Sequence, residues 1–156
     1  MNYTFEPINI DIARIIDTWK YNGFMKNIYM DPYFESYENG DIILKGPNSC
    51  EGFAVYKDDE LFGLFEYYLD DKLIEIGLAI NPKYIGKGLG LDFLQEGLQF
   101  CVKNYNYKKD FIKLFVNKAN LPAFKIYRKA GFKIYKEFDD EYEMRIKIKE
   151  INKGDK

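Results

Sequence analysis

The run Asn81-Pro82-Lys83-Tyr84-Ile85-Gly86-Lys87-Gly88-Leu89-Gly90-Leu91 constrains the fold of this chain more than any other stretch. Ahead of it, Leu73–Ile80 reads as a strand, which Asn81-Pro82 must end because proline cannot donate to a ladder. Behind it, Leu91, Leu94, Leu98, Cys101, Val102 and Tyr105 recur at the helical period, so a long helix opens directly from the loop. Glycines at 86, 88 and 90 let the backbone approach a ligand, and the helix start adds unpaired N–H groups and a positive dipole end. Such a loop cradles phosphate or pyrophosphate, with Lys87 and Lys83 as nearby cations. Two familiar phosphate loops do not fit. A Walker A loop needs Ser or Thr after Gly86-Lys87, where this chain has Gly88. A dinucleotide fingerprint needs glycine at 91, where Leu91 stands, and it follows the first strand of a βαβ unit rather than an antiparallel meander.

The rest of the chain fills in around that loop. Tyr3 and Phe5 alternate with polar neighbours in a short strand ended by Pro7. Ile12, Ile15, Ile16 and Trp19 mark an amphipathic helix with Asp11 as its N-cap, and a second short helix opens at Asp31-Pro32. Phe53–Tyr56 and Leu61–Tyr68 form strands joined by Lys57-Asp58-Asp59-Glu60, and Leu69-Asp70-Asp71-Lys72 turns into Leu73–Ile80. Beyond the long helix come a strand at Phe111–Val116, a helix at Asn117–Ala130 stopped by Gly131, and a hairpin of Phe132–Phe138 with Tyr142–Ile148. The order βααβββαβαββ predicts an α/β (α+β) fold with a mixed, mostly antiparallel central sheet and helices on both faces. With 156 residues and no linker, residues 1–150 read as a single domain and 151–156 as a frayed tail. The chain shows neither a secretory signal nor an apolar run near the ~20 residues of a membrane span, which points to the cytoplasm and away from membranes.

Histidine is absent. That excludes the usual Ser-His-Asp and Cys-His nucleophiles and every metal site built on imidazole, so no metal is expected. Cys50 and Cys101 stand far apart without a CxxC companion and read as reduced, buried thiols. Proton transfers must therefore fall to carboxylates, tyrosine, lysine or water. The net charge of −2 conceals an asymmetry. Residues 1–80 carry 6 Lys and Arg against 15 Asp and Glu, a net of −9, while residues 81–156 carry 17 against 10, a net of +7. The second half suits an anionic ligand and the first a cationic one. The overall acidity argues against nucleic acid as a partner.

A second motif joins the first. Asn117–Phe132 contains N-x-x-A-x-x-x-Y-x-x-x-G-F, on Asn120, Ala123, Tyr127, Gly131 and Phe132, about thirty residues after P-x-x-x-G-x-G-x-G on Pro82–Gly90. Both together, in this order, resemble the GNAT superfamily of acetyl-CoA-dependent N-acetyltransferases, over nearly the whole chain. The resemblance implies acetyl-CoA as co-substrate and direct transfer of acetyl to a primary amine. It implies that Leu78, Ala79 and Ile80 lend backbone groups to the pantetheine arm and acetyl carbonyl. The amides of Gly86, Lys87, Gly88, Leu89, Gly90 and Leu91 would hold the pyrophosphate, and Asn120 would touch the cofactor. Tyr127 falls on the family's general acid, and Glu75 on a carboxylate position that several members use as base, with Glu66 second. Some relatives place a glutamate where this chain has Phe115, and many have Gln or Arg where it has Ile85.

The chemistry suits these residue types. A thioester is already activated, so proximity, a backbone N–H near Ile80 for the oxyanion, and two proton transfers suffice. The acidic first half favours a cationic acceptor, a polyamine, an amino sugar or a peptide amine, with Trp19, Tyr21, Phe24, Tyr29, Tyr33 and Tyr37 as candidate walls. A non-catalytic acetyl-CoA-binding sensor or protein-interaction module is the alternative. The family's habit of pairing through sheet edges or the C-terminal hairpin also allows a homodimer.

Overall fold

The computed structural model describes residues 2–22, 28–70 and 72–153. Within them lie seven β-strands and five α-helices: β1 Tyr3–Pro7, α1 Ile10–Asp17, α2 Asp31–Glu38, β2 Glu51–Lys57, β3 Glu60–Leu69, β4 Ile74–Ile80, α3 Gly90–Asn104, β5 Phe111–Asn117, α4 Leu121–Ala130, β6 Lys133–Glu137, β7 Glu141–Lys147 and α5 Ile148–Lys153. The predicted order holds, with α5 added. The chain packs as two compact units, one drawn from Met1–Leu69 and Gly77–Gly86, the other from Asp70–Ile76 and Lys87–Lys156. Strand β4 supplies its first half to the second unit and its last half to the first.

In the first unit the strands follow one another as β1-β2-β3-β4. β1 pairs antiparallel with β2, and β2 with β3, across a turn in which Asp58 and Asp59 take positive φ of 51° and 69°. Two consecutive left-handed residues are what a tight hairpin turn demands, and aspartate tolerates them. β3 is buried without a break from Phe62 to Tyr67, as expected of a strand covered on both faces. Ile8, Ala13, Ile16, Trp19, Met30, Tyr33, Leu44, Ala54 and Leu64 form the core on the α1–α2 side. The α1 face differs from the expected one. Asn9, not Asp11, caps the helix, its Oδ1 accepting from Ile12 N at 2.9 Å, and this starts the helix early enough to turn Ala13 and Ile16 inward and leave Ile15 47% exposed.

In the second unit the order is β4-β5-β7-β6. β4 runs parallel to β5, and β5, β7 and β6 pair antiparallel. β5 alternates, burying Ile112, Leu114 and Val116, while α3 buries Phe93, Leu94, Leu98 and Cys101. Each fully buried Leu or Phe contributes roughly 1.5–3 kcal/mol relative to exposure. One expectation needs correction. α4 begins at Leu121 rather than Asn117, because Asn120 Oδ1 accepts from Ala123 N at 3.3 Å and caps the helix there. α5 runs through Lys153 with Ile151 buried at 6% exposure, and the rest of the expected frayed tail, residues 154–156, lies outside the described residues.

Candidate active site

After Pro82–Tyr84, one turn of 3-10 helix held by Asn81 Oδ1 accepting from Lys83 N, the chain enters the glycine loop. Gly86 and Gly88 sit at φ +81° and +76°, conformations that L side chains avoid, and a Cβ on either would meet nothing within 4 Å. Their glycines are thus required by backbone shape, with open space beside them for a ligand. α3 then opens with Leu89 as N-cap, which has no side chain to cap it. The leading N–H groups of a 15-residue helix are left to other partners, the arrangement that takes an anion. Lys87 is exposed on the same loop.

Strand β4 carries the second half of the arrangement. Its pairing with β5 takes in Ile74↔Ile112 and Glu75↔Lys113 and, among the described residues, goes no further. Gly77, Leu78, Ala79 and Ile80 are all partly accessible. Asn81 N donates to Phe62 O of β3 at 2.8 Å, so by strand alternation the N–H and C=O of Ile80 and Leu78 point to the edge opposite β3, while those of Ala79 point toward it. Of the three residues expected to lend backbone groups, Leu78 and Ile80 therefore face the open edge and Ala79 does not. One group on that edge is taken. Tyr21 Oη donates to Ile80 O at 2.7 Å.

The expected catalytic side chains have different surroundings. Tyr127 lies on α4, half-buried, with its ring 6.0 Å from that of Phe132. Burial pushes its hydroxyl up to about 12, so it keeps its proton at neutral pH, as a general acid must. Asn120 is the α4 cap, with its Oδ1 engaged and its Nδ2 not used by the cap. Glu75 is half-buried on β4, opposite Lys113. Burial raises its carboxyl above the usual range; Lys113 pulls the other way, and Asp70, Glu141 and Glu143 push with burial.

Glu66, the second carboxylate, has a closed setting that the sequence did not reveal. It accepts from Tyr33 Oη at 2.6 Å and Tyr68 Oη at 3.1 Å, and Cys50 Sγ lies 3.9 Å from Tyr33 Oη. Room for the Tyr33 ring comes from two glycines. A Cβ at Gly52 would overlap the Tyr33 hydroxyl, and one at Gly46 would sit 2.5 Å from its Cζ. Burial raises Glu66, against the hydroxyl bonds, which lower it. The Cys50 thiol is likewise pushed up to about 12 by burial and is inert. Of the aromatics expected to line an acceptor site, Trp19 and Tyr33 belong to the core, Tyr29 and Tyr37 are exposed, Tyr21 is half-buried and tied to β4, and Phe24 lies outside the described residues. No local signal in the sequence marks the Glu66 network, because Tyr33 lies 33 residues away and Gly46–Gly52 reads as a polar loop.

Comparison with known proteins identifies the family of the chain. The acetyltransferase (GNAT) family matches residues 17–132. Acetyltransferase PseH of Campylobacter jejuni subsp. jejuni is 29% identical over 148 residues, covering 92% of this chain and 90% of the relative. Spermine/spermidine N(1)-acetyltransferase of Bacillus subtilis is 32% identical over 119 residues, covering 74% and 67%. The crystal structure of Campylobacter jejuni PseH in complex with acetyl coenzyme A superposes with a TM-score of 0.69 at 24% identity, covering 94% of this chain and 99% of that one.

Proposed function

The chain belongs to the acetyltransferase (GNAT) family and is an acyltransferase using acetyl-CoA, and from that premise we propose that it moves the acetyl group directly to a cationic primary amine, a polyamine or an amino sugar. The observation that carries the site reading is continuity. Along the chain, the open edge of β4 at Leu78 and Ile80 is followed by two left-handed glycines and then by the uncapped start of α3. A thioester arm laid along the edge and a pyrophosphate at the helix start would use those groups in that order. The acceptor reading rests on the acidic first half and on the polyamine acetyltransferase among the relatives.

In this reading the N–H of Ile80 or Leu78 hydrogen-bonds the thioester oxygen as negative charge builds there. Glu75, ionised, takes one proton from the acceptor ammonium; the free amine attacks, the C–N bond forms as the C–S bond breaks, Tyr127 gives its proton to the departing thiolate, and the second proton leaving the nitrogen returns through water to the Tyr127 phenolate. Asn120 offers its amide Nδ2 to the co-substrate. We take residues 1–150 as one such domain and the protein as cytoplasmic, with β6, exposed at all five residues, as the edge a second copy would pair along. No helix among the described residues is long and apolar enough to cross a membrane.

The test is thiol release from acetyl-CoA over a panel of polyamines, amino sugars, amino acids and peptides. The expected result is turnover that favours the polycationic acceptors. Better acetylation of neutral or anionic amines would overturn the acceptor reading. Binding of acetyl-CoA without thiol release on any amine would overturn the enzyme's assigned site chemistry.

A further inference from the structure

Two tyrosine hydroxyls clip the two ends of β4 on its edge opposite β3. At the start, Tyr107 Oη accepts from Ile74 N at 2.9 Å and donates to Phe111 O at 2.7 Å. That clip lies where the strand still pairs with β5, so it continues a ladder. At the end, Tyr21 Oη donates to Ile80 O at 2.7 Å, where the paired positions have ceased. The partner of that same peptide group, Asn81 N, donates to Phe62 O at 2.8 Å, and the Asn81 side chain adds a bond from Nδ2 to Leu61 O at 3.0 Å. The peptide unit between Ile80 and Asn81 is thus held from both sides, by β3 on one and Tyr21 on the other. Remove the Tyr21 hydroxyl and the C=O loses the one partner it has among the described residues; the unit can rock about its neighbours, carrying the adjoining Ile80 N–H with it.

We propose that Tyr21 is a positioning residue for acetyl transfer: by fixing the Ile80 carbonyl it aims the Ile80 N–H at the thioester oxygen. The inference rests on the site reading above. It assigns a function to a side chain from the loop after α1, far from both motifs in sequence. Its backbone neighbours in the strand cannot do this work, because among the described residues Leu78 and Ile80 have no ladder partners on that edge. Tyr21 also brings the segment after α1 to the end of β4, so a residue whose ring walls the first unit also sets the geometry of the reacting carbonyl. Its hydroxyl, raised by burial, stays protonated across the working range and remains a donor.

The experiment compares Tyr21→Phe with Tyr107→Phe, which removes the matched hydroxyl from the other end of the same strand. Three quantities are read: thermal stability, steady-state kcat and KM for acetyl-CoA, and the infrared carbonyl stretch of bound acetyl-CoA labelled at the acetyl carbon. Both variants lose stability. Tyr21→Phe is expected to lower kcat by roughly 10- to 100-fold with KM for acetyl-CoA within about threefold, because a misaimed donor costs transition-state rather than ground-state binding. Its bound carbonyl stretch moves back toward the value in solution, whereas Tyr107→Phe keeps the wild-type stretch and a kcat within about twofold. Equal stretch and equal kcat in Tyr21→Phe and wild type overturn the positioning role while leaving the site reading intact. A wild-type stretch no different from that of acetyl-CoA in solution overturns the site reading, and the role of Tyr21 with it.

Discussion

Two carboxylates, Glu66 on β3 and Glu75 on β4, are both raised by burial, and their surroundings are opposite. Glu66 is 8% exposed, and both of its oxygens accept from tyrosine hydroxyls; the 2.6 Å bond from Tyr33 is of the length expected for a hydroxyl on an ionised carboxylate. Its surroundings are closed by the Tyr33 ring, and that ring is admitted by Gly46 and Gly52. Glu75 is half-buried, opposite a lysine and among three other acids, with no tyrosine on it among the described residues. A base must pick up and release protons through water or substrate, and a carboxylate whose acceptors are all engaged has no such route. A raised carboxyl therefore does not by itself mark a base. Openness separates the two.

Substituting each carboxylate by its amide tests that separation most strongly. Glu75→Gln is expected to lower kcat by roughly 10²- to 10⁴-fold, with melting almost unchanged. Wild-type kcat/KM should rise with pH through a midpoint above the usual carboxylate range, since Glu75 acts only when ionised, and the amide should lose that limb. Glu66→Gln should do the reverse, shifting melting while kcat stays within a few fold. Loss of turnover in Glu66→Gln with full turnover in Glu75→Gln, measured by thiol release, would exchange the two roles. Gly52→Ala comes next. Its Cβ cannot coexist with the Tyr33 hydroxyl in place, and the ring is locked in the core, so about 3 kcal/mol of stability should go. Adding Tyr33→Phe to that variant should return part of the loss; no recovery in thermal melts would show that the closed pocket is not what the glycine serves.

The same contrast explains what could be read from the sequence and what could not. The meander, the glycine loop, the long helix and the Gly131 stop were legible because each rests on local chemistry: hydrophobic period, proline at a strand end, glycine at positive φ. The start of α1 at Asn9 rather than Asp11 goes with a buried face of Ala13 and Ile16, and which face a short helix buries is a tertiary matter. α5 was missed because six residues carry too little period to announce a helix, and burial of Ile151 decides it. In the candidate site, Gly86 and Gly88 could be picked out by motif and Glu75 through the family resemblance. The Glu66 network and the Tyr21 bond could not, since they join residues 33 and 59 apart through tertiary contacts alone. Tyrosine in a chain with 14 of them gives no warning of which hydroxyl is engaged.

A smaller effect separates the carboxylates by pH. Glu66 holds its proton more tightly in the folded chain than in the unfolded one, so between the ordinary carboxylate value and the raised native one the folded state binds more protons. Stability should therefore be greatest at the acid end of that window, fall as pH rises through it, and level off above. Glu66→Gln should flatten this slope in denaturant melts across the window. Glu75→Gln should flatten it less, because Glu75 is half-exposed and water screens it. Equal flattening by both would mean that openness does not distinguish them.

The smallest expected effect lies within the closed network, in the two hydroxyls themselves. Tyr33 is fully buried and donates at 2.6 Å, while Tyr68 is half-buried and donates at 3.1 Å, so water can replace Tyr68 but not Tyr33. Tyr68→Phe should cost about 0.5–1 kcal/mol, and Tyr33→Phe more. The Tyr68 hydroxyl favours the ionised form of Glu66, so removing it raises that carboxyl further and extends the window in which stability falls toward higher pH. The deficit of Tyr68→Phe relative to wild type should accordingly be small at acid pH, where Glu66 is neutral in both, and grow as pH rises and the wild type ionises first. Denaturant melts at two pH values on either side of the window read this directly. A deficit that does not change with pH would mean that Glu66 stays neutral throughout, and the difference between the two carboxylates would then be one of charge as well as of access.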